Sequence, residues 1–131
     1  MPAYRAEGFE WPAPFASVAV RNPATGKRDG VPMLIDTGAD VTLVPEGVLG
    51  RLELAPTLGA AYTFIGFGGE SRVLSAVQLE LVFLRRTFRG LFLTHDQTWG
   101  ILGRNVLNAL ALVLDGTRLT WDEYARHAQD S

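Results

Sequence analysis

Two acidic residues lie close together in the stretch MLIDTGADVTLVPE, residues 33–46. Asp36 follows three large apolar residues, and the small residues Thr-Gly-Ala separate it from Asp40. Because an unpaired carboxylate in an apolar run costs free energy, Asp36 needs a local partner or a chemical use. An Asx turn before Thr-Gly would supply the partner, and it is the commoner explanation for an isolated Asp-Thr-Gly.

A chemical use for Asp36 requires a second carboxylate. Two neighbouring carboxylates share one proton, so one can act as a base on a water while the other donates to a carbonyl. Asp40 lies across the turn, and three aspartates of the second half lack the same apolar and glycine setting: Asp96, Asp115 and Asp122. The simplest source of the pair is therefore a symmetric dimer with Asp36 of each copy at the two-fold axis.

Composition excludes several other kinds of chemistry. The 131 residues suffice for one domain, and a net charge of −2 gives no electrostatic footprint for nucleic acid or anionic lipid. Without cysteine the chain has no disulfide, thiol nucleophile or Cys-ligated zinc, and His95 and His127 are too far apart for a convincing metal site. We therefore expect no metal and no cofactor.

The N-terminal sequence also lacks the long apolar run of a signal peptide, and no stretch has the length of a membrane span. From these features we expect a soluble, cytoplasmic protein. A cluster of Arg85, Arg86 and Arg89 is more often a solvated turn than a nucleic-acid site. Neither a nucleic acid nor a membrane is expected as a partner.

The hydrophobic pattern predicts a mostly β chain. Alternating and β-branched stretches separated by Gly, Pro and Asn are typical of strands and turns, with a chain reversal over residues 22–30 and a hairpin tip at GFGG. Residues 46–54 are compatible with a turn or a brief helix, and VPMLID is expected to be buried on both faces. Val106, Leu107 and Leu110 give a short apolar face at helical spacing.

Three separated segments resemble the retropepsins, the retroviral-type single-lobe aspartic proteases that act as homodimers. LIDTGADVTLV is similar to their catalytic loop, FIGFGG to their flap hairpin, and GILGRNVLNAL to the segment that opens their single helix. The resemblance implies an all-β fold, a closed β-barrel lobe with a flap hairpin and one short helix near residues 104–110. It divides the chain into an N-terminal arm over 1–14, the protease domain over 15–122 and a polar tail over 123–131.

The resemblance also implies roles in a homodimeric aspartic endopeptidase that hydrolyses a peptide or protein substrate. Asp36 matches the catalytic aspartate, Thr37 the residue that braces the two loops, and Gly38 the position of close backbone approach. Ala39 and Asp40 match positions that line the substrate cleft.

Further matches concern the flap and the helix. The glycine-rich tip that closes over substrate corresponds to Gly66, Phe67, Gly68 and Gly69. Arg104 and Asn105 match structural supports, and Arg104 is expected to form a partly buried ion pair with Asp40.

Two features leave alternatives open. The N-terminal arm is longer than in a minimal retropepsin and a polar tail follows RLTW, although chain ends commonly join the family's dimers. The resemblance therefore does not imply how the two chain ends of this protein contribute to a dimer interface.

A catalytically weak or inactive dimeric module that binds peptides or proteins is the alternative function.

Overall fold

The computed structural model describes residues 2–57, 61–65, 69 and 71–125, without the side chains of residues 61–65 and 71–73. The protein is mostly β, with 50% of residues in strands and 8% in helices, as the sequence predicts. No helix in the described part of the chain is long and apolar enough to cross a membrane.

Ten strands follow one another along the described residues. They are β1 Tyr4–Arg5, β2 Ala13–Arg21, β3 Arg28–Ile35, β4 Leu43–Pro45, β5 Ala61–Ile65, β6 Ser71–Phe83, β7 Arg86–His95, β8 Gly100–Leu102, β9 Leu112–Asp115 and β10 Thr120–Glu123. Two short helices accompany them, α1 Gly47–Arg51 and α2 Arg104–Leu107. Helix α2 lies in the predicted range, and α1 forms where the sequence allowed a turn or a brief helix.

Six of these strands close into a barrel. The pairings run from β2 to β3, β8, β4, β7 and β6, and β6 then pairs with β2. Antiparallel pairs such as Val18↔Val31 connect β2 to β3, whereas β3 runs parallel to β8 with Ile35 opposite Leu102. The closed β-barrel predicted from the sequence is confirmed.

Alternating side chains from the barrel strands form the core together with buried side chains of α1 and α2. Its largest fully buried members are Met33, Leu79, Leu81, Leu102, Val18, Val20, Val44, Val48, Val77 and Val106. Strand β3 was expected to be buried on both faces, but its burial alternates: Val31 and Met33 are buried while Pro32 between them is exposed. The outer face of β3 is left uncovered at Pro32, so successive residues point alternately inward and outward.

Two hairpins extend beyond the barrel. Strand β5 pairs with β6, with Ile65 opposite Ser71, and β9 pairs with β10 as a separate two-stranded sheet. Trp121 of β10 is 3% exposed, and its indole Nε1–H donates to the Phe15 carbonyl oxygen at 2.7 Å. This buried indole fixes the β9–β10 hairpin to the barrel.

The N-terminal residues lie against both β2 and β10. Tyr4 pairs with Pro14 of β2, and its N–H donates to the Leu119 carbonyl at 2.9 Å. Ala3 forms a bridge with Thr120. The division of the chain into arm, domain and tail remains a prediction.

Candidate functional site

Asp36 lies directly after β3, where the chain leaves the barrel. Its N–H donates to the Leu102 carbonyl at 3.1 Å, which continues the parallel β3–β8 pairing by one residue. The side chain is half-buried, and its Oδ1 accepts the Gly38 N–H at 2.9 Å. The Asx turn considered from the sequence is therefore present, and it fixes the orientation of the carboxylate.

The loop of residues 36–42, here called the Asp36 loop, is hydrogen-bonded to the start of α2. The Ala39 carbonyl accepts the Arg104 N–H at 2.9 Å, and the Asp40 carbonyl accepts the Asn105 N–H at 3.3 Å. The first N–H groups of a helix have no partner within the helix. In α2 the backbone of the Asp36 loop supplies these partners.

A buried threonine strengthens the same junction. Thr42 is 1% exposed, and its Oγ1 accepts the Gly103 N–H at 3.0 Å while donating to Asn105 Oδ1 at 2.7 Å. Thr42 was not among the residues predicted from the sequence. The available signal was its hydroxyl in an apolar run, because a buried hydroxyl requires a hydrogen-bond partner.

Gly103 allows the close contact between the loop and α2. A Cβ at this position would collide with the backbone of Val41. The glycine is therefore required by the approach of two backbones, while its φ of −94° is available to any residue.

Arg104 contacts the loop through its guanidinium group. Nη1 donates to the Thr37 carbonyl at 2.7 Å, and Nη2 pairs with Asp40 Oδ1. The ion pair predicted from the sequence is present, but it lies at the surface rather than partly buried, with side-chain exposures of 40% for Arg104 and 83% for Asp40. Solvent screening keeps the contribution of such a pair to stability small.

The apex of the Asp36 loop faces solvent. Thr37 and Gly38 are exposed and Ala39 is half-buried. Within the described residues, the Thr37 hydroxyl has no hydrogen-bond partner. The guanidinium of Arg104 engages the neighbouring acid, Asp40, so this loop presents Asp36 as its available carboxylate.

A cavity of about 220 Å³ lies beside the loop. Its lining includes Ile35 and Thr37 from the loop region, Arg104 and Leu107 from α2, and Leu112 and Leu114 from β9. The lining is largely apolar and brings strand β9 to the same side of the molecule as Asp36. No group of three or more acidic or histidine side chains suited to a metal occurs among the described residues.

Most of the predicted flap tip, residues 66–69, lies outside the described residues. Gly66, Phe67 and Gly68 lie outside the described residues. Gly69 is exposed with a φ of +81°, a conformation that glycine adopts without strain.

The three arginines of the basic cluster, Arg85, Arg86 and Arg89, form ion pairs with acidic side chains. Arg85 and Arg86 contact the two carboxylate oxygens of Glu123 at 3.0 and 3.1 Å, and Arg89 pairs with Glu80. Glu80 is 5% exposed, so Arg89 compensates a buried charge.

Comparisons with known proteins identify the fold. No protein-family model and no curated protein matches the chain. Among solved structures, the EIAV protease complexed with the inhibitor HBY-793 matches with a TM-score of 0.51 and 22% sequence identity, over 80% of this chain and 93% of that chain. At this identity the likeness shows the fold, which is that of a retroviral protease, as the sequence resemblance implies.

Proposed function

We propose that this chain is one subunit of a homodimeric aspartic endopeptidase, in which a water activated by two Asp36 carboxylates hydrolyses a peptide bond. The observation that carries the proposal is the position of Asp36. It lies on a solvent-facing loop whose backbone is hydrogen-bonded to the start of α2. The chain that carries this loop has the fold of a retroviral protease.

In the proposed reaction the two carboxylates share one proton. The ionised carboxylate takes a proton from water, and the resulting hydroxide attacks the peptide carbonyl carbon while the protonated carboxyl donates to the carbonyl oxygen. The C–N bond of the tetrahedral intermediate then breaks as a proton passes to the leaving nitrogen. The Gly38 N–H holds Asp36 Oδ1, so the carboxylate is oriented before substrate arrives.

The proposed substrate is an extended segment of a peptide or protein. Ala39 and Asp40 would line its cleft, and residues 66–69 would close over it as a flap and exclude water. An extended substrate can add backbone hydrogen bonds in the manner of a strand. The absence of a cofactor, nucleic acid or membrane partner and the cytoplasmic location belong to the same proposal.

Asp36→Asn tests this function, because the amide is nearly isosteric and cannot act as a general base. Wild type and variant would be incubated with a peptide library, cleavage would be read by mass spectrometry, and assembly by sedimentation. We expect cleavage to disappear in Asp36→Asn with sedimentation unchanged. The exposed Asp96→Asn is the matched control and should cleave as wild type does.

A binding module is the second candidate, and the Asx turn favours it because that turn gives Asp36 a structural use without hydrolysis. Wild-type protein that binds library peptides but cleaves none at any concentration or pH would support the module. The same result would overturn the endopeptidase.

A further inference from the structure

The loop between β1 and β2, residues 6–12, lies at the same end of the barrel as Asp36. Strands β2 and β3 are antiparallel, so β2 begins at the end where β3 leaves the barrel. Phe15 of β2 lies opposite Leu34 of β3. Continuing this register by two residues brings Ala13, the first residue of β2, level with Asp36. The β1–β2 loop therefore joins the barrel next to the Asp36 loop.

An aromatic cluster anchors the β1–β2 loop. The Phe9 ring packs against the Phe15 ring at a centroid distance of 5.6 Å and against the Trp99 ring at 5.7 Å. The Phe9 N–H donates to the Ala6 carbonyl at 3.1 Å, which closes a tight turn with Gly8 at a φ of +82°. Because strands β1 and β2 hold its two ends and Phe9 holds its middle, the loop has a defined position on the barrel.

Trp11 of the same loop is left exposed. Its side chain is 79% exposed, the largest fraction among the exposed large apolar residues of the described chain. Tryptophan is among the side chains most enriched where proteins bind their partners, because its ring offers a large contact area. Pro12 restricts the backbone that follows, so ordering Trp11 against a ligand costs less conformational entropy.

Glu10 adds a negative charge directly before Trp11. Its side chain is exposed, and it has no ion-pair partner in the described part of the chain. Arg5, just before the loop, is engaged elsewhere: its guanidinium lies over the Phe15 ring at 5.2 Å and reaches Glu7 at 3.9 Å. An indole with a neighbouring carboxylate suits a cationic side chain, which both cation–π attraction and an ion pair would hold.

The position of Trp11 places this pair within reach of a peptide bound at Asp36. Two residues separate the Cα atoms of Trp11 and Ala13 by at most about 7 Å. Facing strands place the Cα atoms of Ala13 and Asp36 about 5 Å apart. An extended peptide advances about 3.3 Å per residue, so it covers the sum of these distances in about four residues.

We propose that Trp11 and Glu10 form a subsite for a lysine or arginine side chain of the substrate, an inference that rests on the proposed endopeptidase. The substrate is then an extended segment with a basic residue within about four positions of the cleaved bond. The aliphatic stem of that residue packs on the indole, and its charged end meets the Glu10 carboxylate. An acidic side chain at the same position is repelled.

A matched peptide series tests the subsite. Peptides that wild type cleaves in the library would be resynthesised with lysine, alanine or glutamate at each of the four positions on either side of the cleaved bond. Values of kcat/KM would then be compared position by position. At one or more positions we expect lysine to exceed alanine by about fivefold and glutamate to be the poorest of the three.

Two substitutions assign this preference to the β1–β2 loop. Trp11→Ala and Glu10→Gln should each reduce the advantage of lysine to about twofold or less, while the alanine peptide is cleaved as by wild type. Tyr124→Ala and Glu46→Gln are the matched controls, because they remove an exposed aromatic ring and an exposed carboxylate outside the loop. Both controls should keep the full preference for lysine.

Three results would overturn the subsite. Wild type could cleave the lysine and alanine peptides equally at every position, or Trp11→Ala and Glu10→Gln could leave a preference for lysine unchanged. A shift of Trp11→Ala toward monomer in sedimentation would place the indole in a subunit interface instead of a substrate subsite.

The proposed function fails separately, because binding can be measured without hydrolysis. Fluorescence anisotropy of labelled library peptides, with lysine or with alanine, would report binding to wild type and to Trp11→Ala. If no peptide is cleaved but lysine peptides bind more tightly and Trp11→Ala removes the difference, the subsite stands and the endopeptidase is rejected. Cleavage without a preference for lysine keeps the endopeptidase and rejects the subsite. Peptides that are neither cleaved nor bound would overturn both.

Discussion

The Asx turn and the proposed catalysis are compatible at the level of a single side chain. The Gly38 N–H binds Asp36 Oδ1, and that one bond leaves the other carboxylate oxygen for a water or a second carboxyl group. A structural hydrogen bond to a carboxylate therefore also positions it for chemistry.

Arg104→Met separates the structural and functional contributions of the guanidinium group. It removes the bonds to the Thr37 carbonyl and to Asp40, both at the surface. We expect the free energy of unfolding to change by at most about 1 kcal/mol. Because the Asp36 loop loses these contacts, kcat/KM for peptide cleavage should fall more than that stability change explains.

Arg51→Met is the matched control for this substitution. Arg51 pairs with Asp29 at 2.8 Å, also at the surface, and has no contact with the Asp36 loop in the described hydrogen bonds. Thermal unfolding and steady-state kinetics would be measured for both variants. Equal losses of kcat/KM in the two variants would contradict a positioning role for Arg104.

Part of the geometry of the candidate site could be predicted from the sequence. Asp36 and the pairing of Arg104 with Asp40 could be predicted because short motifs carry them. Thr42 was missed, since its two hydrogen bonds reach Gly103 and Asn105, about sixty positions away along the chain. Such contacts depend on the β3–β8 pairing, which a linear pattern does not specify.

At the scale of elements, the Asp36 loop and α2 form one unit because their backbones touch. Gly103→Ala tests this contact, since the added methyl would meet the backbone of Val41. We expect a loss of about 1–3 kcal/mol in the free energy of unfolding, because an overpacked site must shift the backbone. Urea denaturation would measure it.

Gly50→Ala provides the comparison. Gly50 lies in α1 and a Cβ there meets nothing within 4 Å, so alanine should be neutral or stabilising. If Gly103→Ala were as stable as Gly50→Ala, the close approach of loop and helix would be refuted.

The stability of the turn between β9 and β10 depends on pH through Asp115. The Thr117 hydroxyl donates to Asp115 Oδ1 at 2.7 Å and, with smaller help from the Arg118 N–H and side chain, holds the pKa of Asp115 below its ordinary value. A lowered pKa stabilises the folded turn above the ordinary pKa. That stabilisation is lost as pH falls through the lowered pKa.

Thr117→Val removes the largest cause of this shift. We expect the pKa of Asp115 to rise toward its ordinary value, as an NMR titration of the carboxyl carbon would show. The pH-dependent stabilisation of the turn should then become smaller, because the folded and unfolded pKa values of Asp115 come closer together. Thr25→Val is the control, because the Thr25 hydroxyl accepts the Lys27 N–H and contacts no carboxylate in the described residues. An unchanged Asp115 titration in Thr117→Val would refute the assignment.

Strand positions followed largely from local patterns, but pairing did not. Alternation and turn residues placed β2 and β3, because side-chain period and turn chemistry are local properties. The cluster of Arg85, Arg86 and Arg89 was predicted to be a solvated turn, but Arg86 and Arg89 lie in strand β7. The sequence could not show that β4 runs parallel to β7 or that residues 2–4 lie against β10. Those contacts join residues far apart in the chain and depend on closure of the barrel.

At the scale of the whole molecule, the Asp36 loop and strand β9 lie on one side of the barrel, since Thr37 and Leu114 line the same cavity. In the proposed mechanism a lone subunit has half of the catalytic pair, so activity should depend on subunit concentration by mass action. In that mechanism the barrel supports the Asp36 loop, and assembly of two subunits would complete the catalytic pair.

Mixing subunits tests the central claim most directly. Wild type and Asp36→Asn would be equilibrated at constant total concentration, and peptide cleavage would be measured against the wild-type fraction. If both Asp36 carboxylates are required, mixed dimers are inactive and cleavage falls with the square of that fraction. A linear fall would show that each chain acts without its partner's Asp36, and the paired-carboxylate account would be wrong.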